Sequence, residues 1–327
     1  MPARPPVQAS AAATRVRLNL NSGSAPSSGP GLQAPHPIAT QTIEAIQAIA
    51  QAWASVPEAR LREILGRIHH QPPSGFVGFY LGEQRIGRLA PEHVAPLLDR
   101  LPQCQLSERG VVWLGAEHAS VQERSAQLAG AAQALRQAGW ITGWRDELYS
   151  YWGEIEHAPD PAEPHAFALE RAAFRFFGLR SHAVHINGFA PDGRVWCGIR
   201  SLSKATDPGR IDNLAAGGLS AGESVLDCAI RELHEEAGLD PELARQVQPA
   251  GRVVTRRRES QGWHDEALLV YNLLLPAGTV PRNLDGEVSG FLCLSPQQAM
   301  ARLGEMTDDA AGVLAQGVLA LRGAGAA

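Results

Sequence analysis

The residues best placed to do chemistry lie between Gly217 and Leu239. Gly217-Gly218-Leu219-Ser220-Ala221-Gly222-Glu223 is followed, seven residues on, by Arg231-Glu232-Leu233-His234-Glu235-Glu236-Ala237-Gly238-Leu239. At about 100° per residue, Glu232, Glu235 and Glu236 share one helical face, and Leu226, Ala229, Ile230, Leu233 and Ala237 share another. Three carboxylates that close repel one another, so a cation is expected among them, and hard oxygen donors suit Mg²⁺ or Mn²⁺. Arg231 can neutralise or orient one of the three. Gly238 fits the left-handed position that ends a helix. A Glu-rich turn alone is usually just a solvated helix face. The whole spacing, Gly-x5-Glu-x7-Arg-Glu-apolar-x-Glu-Glu-x-Gly-apolar, is far more specific than that.

The rest of the chain must position this segment. Its 327 residues correspond to about two domains. A formal net charge of −5, with 44% hydrophobic and 19% charged residues, is an ordinary globular mix. Of 29 basic residues, only Lys204 is a lysine. Ser203 precedes it, which excludes a Walker-type loop ending in Gly-Lys-Ser/Thr. Schiff-base chemistry would have to use Lys204. Cys104, Cys197, Cys228 and Cys293 are scattered, which argues against a zinc knuckle or a disulfide framework. Reduced thiols and a cytoplasmic location are expected instead. No apolar run is long enough to span a membrane, and no long basic run suggests nucleic-acid binding.

Residues 1–38 are rich in Ala, Pro, Ser and Gly, with three arginines and no acid. They read as a disordered tail, with an organelle transit peptide as the minor alternative. Residues 39–164 read as a smaller α+β domain. Helices over 43–65 are split at Pro57, and a hairpin turns at Gly82-Glu83. Then come a helix over 91–101, a strand at 111–114, a helix over 121–137 and a strand at 147–152. Residues 165–322 read as the second domain. It opens with a helix over 165–177 and strands at 181–189 and 194–200. The acidic helix spans 224–237; strands near 252–257, 266–275 and 288–294 and two closing helices follow.

The Gly217–Leu239 spacing resembles the signature of the Nudix family and departs from it at no position. The resemblance implies an α/β/α sandwich with a mixed sheet and the signature as a loop–helix–loop. It also implies hydrolysis of a diphosphate linked to another group. On these residues it implies Glu235 and Glu236 as the main metal-ligating pair, and Glu232 as a further ligand or base-assisting carboxylate. Arg231 would orient Glu232, Glu223 would support the site, and the Ala216 carbonyl would be a backbone ligand. Many members use a carboxylate outside the signature; Glu287 is the first candidate here and Glu266 the second.

Flanking residues narrow the branch. Lys204-Ala205-Thr206-Asp207-Pro208-Gly209 resembles segments of Nudix proteins near isopentenyl diphosphate isomerases and of a thiamine-linked group. It could bring one ammonium and one amide, from Lys204 and Asn213, towards phosphate. The isomerases need a Cys just ahead of the signature, and residues 213–218 contain none. The thiamine-linked group also carries an N-terminal domain of unassigned role; some of its members are fused to thiamine pyrophosphokinase. The likeness is carried by Trp144–Tyr149, Glu170–Gly178 and His185-Ile186-Asn187-Gly188. It implies hydrolysis of an oxidised or analogue thiamine diphosphate to the monophosphate and phosphate, in a pocket that His185 could line. Trp144, Tyr149 and Trp152 read first as core residues. The alternatives are a hydrolase of another nucleotide-like diphosphate, or a sensor that binds a diphosphate without turnover. The expected partner is a small-molecule diphosphate. The first half could help form its pocket or instead supply a homodimer contact.

Overall fold

The computed structural model describes residues 37–68, 74–204 and 206–324. The tail and transit-peptide readings of residues 1–38 thus fall almost wholly outside the described residues. Helices α1 (Pro37–Ala52) and α2 (Glu58–Gly66) come first. Pro57 between them lacks the N–H that a continuous helix needs. Strands β1 (Val77–Leu81), β2 (Gln84–Leu89), β3 (Cys104–Ser107) and β4 (Gly110–Trp113) form a sheet of order β2-β1-β4-β3. Helices α3 (Pro91–Arg100) and α4 (Val121–Gln137) pack beside it. Ser120 and Glu123 form a capping box at the start of α4. A two-stranded ribbon, β5 (Leu148–Tyr151) with β6 (Phe167–Glu170), leads into α5 (Arg171–Phe177).

The second half contains β7 (Arg180–Phe189), β8 (Val195–Arg200), β9 (Ile211–Asp212) and β10 (Ala215–Gly218). Then come α6 (Val225–Ala237), α7 (Pro241–Ala244), β11 (Gln248–Glu259), β12 (Gly262–Leu274), β13 (Val288–Leu294), α8 (Pro296–Ala301) and α9 (Asp308–Ala324). The sheet order is β11-β12-β7-β8-β13, with β10 beside β7 and β9 beside β8. The β7–β12 pairing is parallel and the others antiparallel, so the sheet is mixed. Every residue of β7 is buried, as a strand covered on both faces requires. Its Val184 and Ile186 pack in one cluster with Ala229 and Leu233 of α6. Ala183 and Phe189 join clusters containing Val313 and Leu314 of α9. The result is the expected α/β/α sandwich.

Two placements differ from the linear reading. The helix expected over 165–177 begins only at Arg171. Residues 167–170 are a strand, with Phe167 and Leu169 buried and Glu170 capping the helix by accepting from Ala172 N. Phe174, Phe176 and Phe177 complete the core of the first half rather than opening the second. Conversely, α1 and α2 lie on the second half: Ile49, Trp53 and Leu61 cluster with Val318 and Leu321 of α9. Strand β3 and the short β9, β10 and α7 also escaped the reading, because two- to four-residue elements carry too little periodicity.

A buried ionic knot fastens the two halves. Asp265 on β12 is 2% exposed, as is Arg180 on β7. Arg180 donates to it through Nε (2.8 Å) and Nη2 (3.2 Å), and Arg256 through Nε (3.2 Å). Arg88 of β2 lies 3.9 Å away. Beside the knot, burial of His182 pulls its pKa down to about 4, and burial of His264 pulls that group well below the ordinary value. An unfolded His titrates near 6.5, so below that pH the unfolded chain takes up protons that the folded chain refuses. The stability that the neutral histidines contribute is therefore lost as pH falls from 6.5 towards 4. We expect urea unfolding at pH 5 to show a loss of about 2 kcal/mol from His182 relative to pH 7.5. His182→Gln should lack that part of the pH dependence, and the same change between pH 5 and 7.5 in parent and variant would contradict this assignment.

Candidate active site

The acidic helix α6 starts at Ser224, whose Oγ accepts from Asp227 N at 3.1 Å, and stops at Gly238 with φ 63°. Its faces differ from the simple wheel. Leu226 is 41% exposed, whereas Glu232 and Glu236 are only 8% and 7% exposed. The helix is pressed carboxylate-first towards β10, so two of the three acids are buried, Glu235 stays half-exposed, and one apolar residue is left outside. The glycines of β10 permit that approach. A Cβ on Gly217 would overlap the Glu232 carboxylate, and one on Gly218 would overlap the Tyr149 hydroxyl. We expect Gly218→Ala to push Tyr149 out of place and cost about 1–3 kcal/mol, read by chemical denaturation. An unchanged unfolding midpoint would contradict that close fit.

Arg231 ties the acids together. It donates to Glu223 through Nε (2.8 Å) and Nη2 (3.0 Å), to Glu232 through Nη1 (2.5 Å) and to Glu235 at 3.4 Å. The Glu223 bond chiefly raises its pKa, so the guanidinium stays charged. Burial raises the Glu232 carboxyl, although Arg231 opposes the rise. Burial, with Glu232 nearby, pushes Glu236 up to about 8. Ala216 contributes its backbone N–H, which donates to Glu236 Oε2 at 2.9 Å.

Beyond the helix, Asp285 and Glu287 reach the same place. Oxygens of Glu236, Asp285 and Glu287 lie within 4.8 Å of one another. Three converging carboxylates are the hard donor set that Mg²⁺ or Mn²⁺ takes. Asp285 was not among the residues singled out in the sequence; its place in Asp285-Gly286-Glu287, two residues from Glu287, is the signal that could have found it. The ammonium of Lys204 pairs with Glu287 and lies 3.8 Å from Glu236.

Most of these groups, though neither Glu223 nor Glu236, line a cavity of about 410 Å³. Glu232, Glu235, Glu287, Arg231, Ala216, Lys204, His185 and Glu266 all contribute to its wall. Glu266 is held by Ser181 Oγ at 2.7 Å. Asn213 does not line the cavity. Its Oδ1 meets His185 Nδ1 at 2.9 Å, and its Nδ2 donates to Asn187 and to the Ala310 carbonyl. Its amide is used up inside a buried polar ladder. The first half also reaches the cavity, through Glu147, Tyr149, Arg171 and Arg175. No local pattern announces that, because it depends on how the halves dock. Tyr149 serves both as a core residue and as cavity wall, whereas Trp144 and Trp152 do not line it.

A mixed sheet flanked by helices, with a loop–helix–loop presenting carboxylates into a cavity, is the architecture that the sequence signature leads one to expect. Residues 179–316 match the NUDIX domain family, and residues 61–181 match a domain of unknown function (DUF4743). The chain thus carries a Nudix domain preceded by that second domain. Among curated proteins it is similar to two from Arabidopsis thaliana. It is 36% identical over 220 residues to Nudix hydrolase 24, chloroplastic, and 37% identical over 227 residues to Nudix hydrolase 20, chloroplastic. Each match covers 66% of this chain and 59% of the plant protein, so the chain spans less than two thirds of those relatives. A solved structure, DR0079 from Deinococcus radiodurans, is similar with TM-score 0.39 and 21% identity, over 52% of this chain and 98% of that one.

Proposed function

We propose that the protein is a metal-dependent Nudix hydrolase that cleaves a diphosphate, and that its substrate is an oxidised or analogue thiamine diphosphate. The observation that carries the hydrolase reading is the gathering of the signature carboxylates at one cavity: Arg231 ties Glu223, Glu232 and Glu235, and buried Glu236 converges with Asp285 and Glu287 beside the 410 Å³ space. Glu235, Glu236 and Glu232, with the Ala216 carbonyl and the nearby Asp285, would hold Mg²⁺ or Mn²⁺. When bound, such an ion polarises the attacking water and offsets charge on the leaving phosphate. Glu287 takes a proton from the water at its carboxylate as the water oxygen attacks phosphorus and the bridging P–O bond breaks. Arg231 keeps Glu232 and Glu223 in register. Lys204, released from Glu287, donates to a phosphate oxygen.

The thiamine reading rests on the sequence resemblance and on a cavity with the aromatic Tyr149 and polar His185 and Glu266 in its wall. Four free cysteines suit a reducing compartment such as the cytosol. The chloroplastic names of both plant relatives favour the transit-peptide alternative for the acid-free first residues. No helix among the described residues is long and apolar enough to cross a membrane.

The test is phosphate release, with Mg²⁺, from oxidised thiamine diphosphate, ADP-ribose and a nucleotide panel. The expected result is turnover of the thiamine compound above the others. Turnover of a nucleotide alone would replace the substrate. If nothing on the panel turns over, a diphosphate-binding sensor becomes the better reading.

A further inference from the structure

We propose that Arg171, contributed by the first half of the chain, is a specificity-determining residue of the cavity, and that the group it selects is a planar polar heterocycle. This rests on the hydrolase reading above and gives the domain of unknown function a role in it.

Arg171 is built into the site from three sides. Its guanidinium lies 5.5 Å from the ring centroid of Tyr149. Its Nη1 donates to Glu147 Oε2 at 2.6 Å. The other oxygen of Glu147 accepts from Ser220 Oγ at 2.8 Å, inside the signature loop. A backbone bond from Ala221 N to the Leu148 carbonyl, 2.7 Å, closes the same seam. Glu147 therefore couples the loop ahead of α6 to the first residue of α5, and Arg171 is held over the Tyr149 ring at the cavity wall. A guanidinium held on one aromatic face offers its second face and its free N–H edge to a flat ligand ring.

The charge balance of this wall decides what kind of group fits. Three arginines of this wall already have a carboxylate: Arg171 has Glu147, Arg175 has Glu259 at 2.9 Å, and Arg257 has Asp309 at 3.1 Å. A trap for a second phosphate would leave guanidinium charge unspent. This wall offers the planar cation of Arg171 and the Glu266 carboxylate. His264 is 5% exposed and its Nε2 has no hydrogen-bond partner among the described residues; it lies 3.6 Å from Glu266. Its Nδ1 faces Arg175 Nε at 3.5 Å, which leaves the proton on Nε2. His264 thus backs Glu266 from inside the wall, and the stacking surface, the Glu266 acceptor and the free N–H edge of Arg171 match a ring that carries both kinds of hydrogen-bonding atom.

The test uses the full chain and two probes, thiamine diphosphate and methyl diphosphate. Binding is measured by calorimetry and phosphate release with Mg²⁺. Arg171→Met keeps the aliphatic stem and removes the flat cation. It should weaken thiamine diphosphate binding roughly ten-fold relative to methyl diphosphate. The ratio of kcat/KM values for the two probes should fall in parallel, carried by KM. Arg171→Lys restores charge without the plane and should recover little of that ratio. Glu147→Gln, which loosens the positioning of Arg171, should move the ratio in the same direction. Equal weakening for both probes, an unmoved ratio, or full rescue by lysine would overturn the proposal. If neither probe releases phosphate but the binding ratio still shifts, the hydrolase reading fails and the role of Arg171 stands.

Discussion

Glu236→Gln is expected to lower kcat/KM for phosphate release by more than about 100-fold while making the metal-free protein more stable. Losing a mere supporting partner of a metal ligand typically costs about 10–100-fold, and Glu236 stands in the first rank of the converging carboxylates. The opposite effect on stability follows from burial. Unfolded, this carboxyl titrates near 4.5; folded, it is pushed up to about 8. Between those values the folded chain holds a proton that the unfolded chain has lost. Stability of the metal-free protein therefore falls as pH rises through that window. Glutamine has the same shape and no charge to bury. Denaturation in EDTA at pH 6 and pH 9 should show a falling trend in the parent and a flatter one in the variant. Retained turnover in the variant would remove Glu236 from the metal site.

The second large effect falls on the seam between the halves. Asp265→Ala should cost about 3–5 kcal/mol, because it strands Arg180 in a buried position. For a chain of this size, about 4–8 °C in unfolding temperature follows. Glu156 is the natural comparison. It contacts Arg252 at 3.3 Å and Arg180 at 3.8 Å, but its side chain is 40% exposed. Removing that charge should cost under about 1 kcal/mol. Similar losses for Asp265→Ala and Glu156→Gln would show that the buried knot carries no special share of the stability.

Much of this was legible in the residues themselves. The span of α6 could be read from its apolar period, its Ser224 cap and Gly238; the hairpin β1–β2 from Gly82; α4 from Ser120 and Glu123. These signals are local, a few residues each. What escaped was set by distant partners. Glu170 reads as part of a helix until β5 pairs with its strand. Asn213 reads as a ligand-facing amide until Asn187, His185 and the Ala310 carbonyl consume its bonding capacity. Arg171 and Tyr149 reach the cavity only because Gly218, in the other half, leaves room for a hydroxyl.

The packing of α1 and α2 against α9 bears on the order in which the molecule can be assembled. Trp53 Nε1 donates to the Gly193 carbonyl, and Arg322 donates to the Val56 carbonyl across 266 residues of sequence. Contacts that distant slow folding, since a long loop must close before they repay it. During synthesis these two helices emerge early, and the surface they pack on, begun by Phe189 and Val195, is complete only when α9 follows. Residues 179–316 taken alone would lack both helices and stop inside α9, baring the face formed by Leu314 and Ala315. The unit that folds is thus wider than the Nudix match, and the first helices close over its far end like a clasp.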